Sequence, residues 1–229
     1  MDGAQDHDII LRAVDRMMGE DRHAARKAKL PVTHIPKVLY HWRCYEGSTS
    51  ENPESKRYAY EAGKRAVEDF LKEREYQADV VHTCHLGFFR VNYQPDLLSN
   101  RPDVAVVGGK LIDRHNRVVG GIYNENREPL YLGLHKEYSG YMHRASCQQE
   151  AYAVDVRCMI CSGEAQTVWE ELTGLPYAVQ SHTGYFLYQD VLKKDADYEE
   201  LSFKFCEELR RRGKRIVWDP EMVQRVDGR

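Results

Sequence analysis

Residues 195–220, DADYEELSFKFCEELRRRGKRIVWDP, contain a change of periodicity from helix to strand. From Tyr198 to Arg212, Leu201, Phe205 and Leu209 recur every four residues, the spacing of one helix face. Asp195, Asp197, Glu199 and Glu200 crowd the start and Arg210, Arg211 and Arg212 the end, so both ends suit the helix dipole. Gly213 stands where a left-handed residue stops a helix. Arg215 to Trp218 then reads as a short strand that Asp219-Pro220 ends. A glycine-stopped helix followed by an apolar strand puts both element types side by side in the chain.

The preceding text fits that reading. Ala151 to Cys161 reads as the clearest strand: Tyr152, Val154, Val156, Cys158 and Ile160 share one face, and Ala153, Asp155, Arg157 and Met159 the other. A polar pair thus projects from a core strand. A helix over Glu164–Leu172 stops at Gly174. Val104–Val107 reads as a buried strand, and Lys110–Asp113 with Arg117–Tyr123 as a hairpin around Arg114-His115-Asn116. Gly108-Gly109 and Gly120-Gly121 fall at hairpin ends. Asn124 to Gln149 is loop-rich, a length that marks a functional or mobile segment.

Toward the N-terminus, Asp8 to Met18 reads as a helix with Ile9, Ile10, Ala13, Val14, Met17 and Met18 as its apolar side. Residues 19–29 are almost all polar or charged. Pro31 to Trp42 alternates loosely, and Pro36 makes it an edge strand or an extended segment. Asn52-Pro53 opens a second helix, carried to about Arg74 by Tyr58, Ala62, Ala66 and Phe70. Ala78 to Tyr93 is β-like. The loop 94–103, with Pro95 and Pro102, marks the best boundary.

Composition narrows the function. Lys+Arg total 33 against 36 Asp+Glu, a net charge of -3 that lacks the basic excess a non-specific nucleic-acid binder needs. No run approaches the roughly 18 apolar residues of a membrane span. The opening MDGAQDHDIILR has no basic region followed by an apolar stretch, so a secretory signal is not expected. Six cysteines are too sparse for a disulfide framework and point to reducing cytoplasm.

Several residue groups offer chemistry. Asp6 and Asp8, one residue apart at a helix opening, suit a general base or a cation pair; helix capping explains acids here without any site. The same pair of readings applies to Asp195, Asp197, Glu199 and Glu200. Cys158-Met159-Ile160-Cys161 is a CxxC without a second ligand pair, so it reads as buried cysteine and not as a metal site. Tyr131, His135, Tyr138, Tyr141 and His143, with Arg144, Gln148 and Gln149, offer a stacking-capable polar groove for sugars or nucleotides, or ordinary loop packing. The glycine pairs match no phosphate loop.

Strings across the chain resemble a known family. GAQDHDIILR (3–12), HIPKVLYHWR (34–43) and GSTSENPESKRYAYEAGKRAVEDFL (47–71) resemble the C-terminal part of a family 2 glycosyltransferase domain of the bacterial, rhamnan-type polysaccharide kind. FFRVNY (88–93) resembles the inter-domain strand of its tandem members. RPDVAVVGGKLID, NRVVGG, YSGYMHRASCQQ, YAVDVRCMI and ELSFKFCEELRRRGKRIVWDP resemble the C-terminal part of a second such domain. The resemblance implies three regions: 1–75 from a first domain, 76–95 as linker, and 96–229 from a second. It also implies an α/β fold with partial elements of the GT-A type, a Rossmann-like nucleotide-sugar transferase architecture of a mixed sheet with flanking helices.

By the same resemblance, a sugar such as rhamnose passes from a nucleotide-sugar donor to a glycan acceptor, in the cytoplasm or at the inner face of the membrane. Asp6 matches the carboxylate that deprotonates the acceptor hydroxyl, with Asp8 and Arg12 completing its motif. Glu200 matches the equivalent acid of the second domain, beside Glu199. Trp42, Arg43 and Asp155 fall on the acceptor side. The family uses a divalent metal, Mg²⁺ or Mn²⁺, whose site is not identified among these residues. The apolar strand, nucleotide loop and strand-borne DxD that the family places on the donor side are also absent from these 229 residues, and Tyr45 stands where many relatives have histidine. These departures imply a fragment or remnant that is inactive alone. The rival readings are a non-catalytic interaction module with a protein partner or self-association and, with less support, a metallohydrolase using Asp6 and Asp8.

Overall fold

The computed structural model describes residues 3–18, 33, 35–41, 57–177 and 197–226, and the chain divides into two units, Met1–Asp96 and Leu97–Arg229. In the first unit, helices α1 (Gln5–Met18) and α2 (Arg57–Glu73) pack together, and α2 also packs on β1 (Ala78–His82), which pairs antiparallel with β2 (Phe89–Tyr93). Small residues let α2 approach its neighbours: Ala62 and Ala66 are buried, and a Cβ on Gly63 would press on the rings of Phe89 and His7. The face that α1 turns to α2 differs from the apolar stripe expected for it. His7, Asp8 and Leu11 lie on the α2 side and Asp15 bonds Arg74 at 2.6 Å, while Ile9 and Ile10 are exposed. Residues 35–41 form no strand, and the Asn52-Pro53 helix start lies outside the described residues.

The second unit is built on a mixed sheet. After the short helix α3 (Leu97–Asn100) comes β3 (Val104–Ile112), buried at all nine positions. Then follow β4 (Val118–Gly120), β5 (Ile122–Tyr123), β6 (Gln149–Glu150), β7 (Ala153–Val154), β8 (Met159–Cys161), α4 (Gly163–Thr173), α5 (Tyr198–Arg211) and β9 (Arg215–Arg225). Strand β9 runs parallel to β3 on one edge and antiparallel to β6 beyond it; β8 and β4 pair antiparallel with opposite ends of the other edge of β3. β5 and β7 form a separate antiparallel pair. Helices α4 and α5 cover a core that includes Val106, Trp169, Phe203, Phe205, Leu209, Ile216 and Trp218. A smaller cluster holds Val107, Leu111, Cys158 and Met222, with Leu97 and Leu98 of α3 against it.

Three strand readings change. Gly108 and Gly109 lie inside β3, not at a hairpin end, because two neighbours occupy the space their side chains would take: Val154 over Gly108, Cys158 and Met222 over Gly109. The stretch 151–161 is two strands separated by a turn, in which the Cys158 N–H donates to the Asp155 carbonyl at 3.1 Å. Strand β9 continues past Asp219-Pro220 to Arg225. A register shift places Trp218 opposite Gly108 and Val223 opposite Lys110, so the proline sits in an irregularity and not in the ladder. Helix α5 ends as its charges dictate: Asp197 caps it by accepting from the Glu200 N–H at 3.0 Å.

Candidate functional site

In the second unit, the turn between β7 and β8 meets the start of α5. Asp155 is fully buried and accepts from four donors: the Arg157 backbone N–H at 3.0 Å, Arg157 Nε at 2.9 Å, Arg157 Nη2 at 2.7 Å and the Tyr123 hydroxyl at 3.2 Å. Ser202 of α5 accepts from the Val156 N–H at 3.0 Å and donates to the Tyr198 carbonyl, which ties the turn to the helix. The Arg157 guanidinium lies over the Tyr198 ring at 5.0 Å. Burial, and then the charges of Asp155 and Glu199, push the Tyr123 phenol far above its ordinary range, so it stays protonated and donates. Asp155 and Glu199 therefore act on one hydroxyl. With four donors on its two oxygens, Asp155 holds the turn in place.

Glu200 is half-buried on the same helix and faces cations. Arg127 Nη1 reaches it at 3.2 Å, Lys204 lies at 3.6 Å, and Arg127 also bonds Glu207 at 2.9 Å while covering the Phe203 ring at 4.8 Å. The Tyr152 hydroxyl donates to Glu207 at 3.1 Å. This gives α5 a face of acids, aromatic rings and one arginine that joins Glu200 to Glu207.

The long segment after β5 is largely absorbed in packing. Tyr131 lies against Trp218 with ring centres 5.5 Å apart and donates to Gln149 at 3.1 Å. Gln148 donates to the buried Asp219 at 3.0 Å, and His143 bonds Ser139 at 2.9 Å. Beneath them is Lys110, only 4% exposed, whose ammonium donates to the Lys136 carbonyl at 2.7 Å and to the Ala145 carbonyl at 3.4 Å. Burial lowers its pKa against the pull of the Asp219 charge.

In the first unit, Asp6 is exposed in the opening turn of α1, where Oδ1 accepts from the His7 N–H at 2.9 Å. Asp8 bonds Arg12 at 3.0 Å, and the two line a shallow groove with Asp69 and Glu73 of α2 over Ala66 and Phe70. Desolvation works to raise the Asp8 carboxyl, but the Arg12 bond and the positive charges near it together set it below its usual range. Trp42, Arg43 and Asp195 lie outside the described residues. Among the described residues, no group of three or more His, Cys, Asp or Glu is placed to hold a metal ion. Nor is any helix among them long and apolar enough to cross a membrane.

The sequence reading missed Tyr123, Arg127, Glu207 and Lys110 as members of these clusters. Only Lys110 carried a local signal, a lone charge inside the apolar run VAVVGGKLI.

Geometry defines the second unit as a mixed α/β sheet with flanking helices, and comparison with known proteins adds one partial relative. The protein y4gI of Sinorhizobium fredii (strain NBRC 101917 / NGR234), itself described as uncharacterized, is 41% identical over 70 residues, 31% of this chain and 7% of y4gI. The chain thus matches about 7% of that relative's length. No protein-family profile and no solved structure matches.

Proposed function

We propose that this chain supplies the acceptor side of a sugar-transferring enzyme of the family 2 glycosyltransferase type. It would hold a glycan hydroxyl for attack on a nucleotide-sugar, with rhamnose or a similar residue transferred. The observation that carries the reading is the convergence at the start of α5: Glu199 and Glu200 in its first turn, Asp155 bonded to Tyr123 behind them, and Arg127 across Glu200 and Glu207. In this reading Glu200 takes the acceptor proton as the hydroxyl oxygen bonds the anomeric carbon and the diphosphate departs with the electrons of the broken bond. Arg127 orients Glu200, and Asp6 has the equivalent role at the start of α1.

Titration of isotope-labelled chain with an α-linked rhamnose trisaccharide tests this. Saturable shifts in the amides of 124–128 and 198–204, abolished in Arg127→Ala, are expected. Absence of any shift at millimolar trisaccharide overturns the reading.

A non-catalytic interaction module is the second reading, favoured by the exposed Ile9 and Ile10 on α1. Sedimentation of the purified chain separates the two: self-association abolished by Ile10→Lys supports the module, and a monomer insensitive to that change removes it.

A further inference from the structure

We propose that residues 136–145 form a carbohydrate-stacking platform, with the rings of Tyr138 and Tyr141 receiving the apolar faces of successive sugar units of the acceptor. This rests on the acceptor reading above and names the surface that would hold the acceptor chain. Three independent observations carry it. First, the segment is closed at its base. The Lys110 ammonium bonds the carbonyls of Lys136 and Ala145, one at each end of the segment, and the Ala145 N–H donates to the Ser139 carbonyl at 2.8 Å. A surface loop fixed in this way is an Ω-like structure with little conformational freedom left to lose on binding.

Second, the closed segment holds strained backbone at its tip. Met142 and His143 have φ values of 51° and 56°, in the left-handed region that side chains avoid. Such strain persists only where the surroundings impose it: the His143–Ser139 bond, the Ser146 hydroxyl donating to the His143 carbonyl at 2.8 Å, and buried Ala145 packed close beneath Gly140.

Third, this rigid frame leaves its aromatic rings in solvent. Tyr141 is 85% exposed and Tyr138 61% exposed, whereas Tyr131 at the edge of the same region is packed on Trp218. The three-residue step from 138 to 141 keeps the two Cα atoms within about 10 Å of each other, a spacing that a short oligosaccharide can span. A flat, amphipathic ring with few rotatable bonds, presented by an ordered loop, suits the C–H face of a pyranose while its hydroxyl stays wet.

The test is titration with the same rhamnose trisaccharide by calorimetry, using wild type, Tyr138→Ala, Tyr141→Ala and Tyr141→Phe. Each alanine variant is expected to weaken binding roughly three- to tenfold, and Tyr141→Phe to leave it unchanged because the ring and not the hydroxyl makes the contact. Unchanged wild-type-like affinity in both alanine variants overturns the platform and leaves the acceptor reading standing. Wild type that does not bind at all overturns both. A Tyr141→Ala variant whose effect is on self-association and not on saccharide affinity assigns these rings to a protein interface and overturns the platform.

Discussion

Arg157 reaches back two residues to grip Asp155 with both faces of its fork, Nε to Oδ1 at 2.9 Å and Nη2 to Oδ2 at 2.7 Å, while Asp155 itself is removed from solvent. A bidentate pair of this geometry fixes the turn between β7 and β8, and Tyr123 and Ser202 fasten that turn to β5 and α5. Removing the carboxylate strands a guanidinium that is mostly enclosed. Asp155→Ala is expected to lower unfolding free energy by about 3 kcal/mol, the cost of breaking a buried pair from one side. In Asp155→Ala/Arg157→Met most of that loss should return, since neither charge is then left alone. Urea denaturation of the two variants and of Arg157→Met closes the cycle; strict additivity would show that the pair is not coupled.

Gly109 has no room for a methyl group. A Cβ there would collide with Cys158 Sγ and with Met222, both in the fully packed strip beside β3, and the Gly109 carbonyl accepts from Trp218 Nε1 at 3.1 Å. Gly109→Ala is expected to cost at least about 2 kcal/mol by overpacking, visible as a fall in Tm with a lost Trp218 environment in near-ultraviolet circular dichroism. A variant as stable as wild type would show that β3 and β9 can separate without penalty.

These two cases show where sequence reading stops. Helix ends were legible because their chemistry is local: Asp197 caps α5, Gly174 takes the left-handed position after α4, and the acids and bases of α5 sort by dipole. The break at Asp155 was not, because strict alternation through Tyr152, Val154, Val156, Cys158 and Ile160 matches one strand as well as two. What ends β7 is a set of bonds to Tyr123 and Ser202, 32 and 46 residues away. The role of Gly108-Gly109 depends on Val154, Cys158 and Met222 in the same way. Pro220 would normally end a strand, and only the register shift against β3 lets β9 pass it. At the candidate site, Glu199, Glu200 and Asp155 stand out as acids in the text. Arg127, which joins Glu200 to Glu207, gives no such sign in its own loop.

Asp103 governs part of the acid limb. Burial works to raise its carboxyl, but the two bonds from Arg101 at 2.7 and 2.8 Å and the charges of Arg101 and Arg215 outweigh that and bring it below 3.8. A carboxyl lowered in the folded state contributes stability above its unfolded value, and that contribution is lost as pH falls through the folded one. Asp103→Asn should therefore be less stable than wild type at neutral pH, by about 1–3 kcal/mol, with the gap closing below pH 3.8. Denaturation at stepped pH reads the gap; a difference that stays constant into acid would assign the loss to shape and not to charge.

Lys110 acts with the same sign at the alkaline end, for a different reason. Its folded value lies below 10.5 because burial disfavours the ammonium, so between the two values the unfolded chain binds more protons and stability rises with pH through this group. Lys110→Met removes that component and leaves the Lys136 and Ala145 carbonyls without this donor, a cost of about 1–3 kcal/mol where, as at Ala145, the acceptor is buried. The penalty of the substitution should grow as pH climbs toward 10.5. A penalty that is flat or shrinking over that range would mean that the lysine is solvated in the folded protein.

The buried thiols set the alkaline limit. Burial, then the nearby Asp155 charge, pushes Cys158 up to about 12; burial takes Cys206 to about 12 as well and raises Cys161 well above 9.0. Between 9.0 and these folded values the unfolded chain sheds protons that the folded chain keeps, so stability from these groups is complete below 9.0 and declines as pH rises beyond it. Three thiols acting together outweigh the single lysine there, and unfolding free energy should fall steeply above pH 9. The same burial predicts selectivity toward alkylation. At pH 8 iodoacetamide should modify exposed Cys84 orders of magnitude faster than Cys158, Cys161 or Cys206, which become reactive only in urea. Peptide mass mapping over time measures the rates; early carboxamidomethylation at Cys158 or Cys206 in native buffer would mean that the core around β7 and α5 opens far more readily than its packing implies.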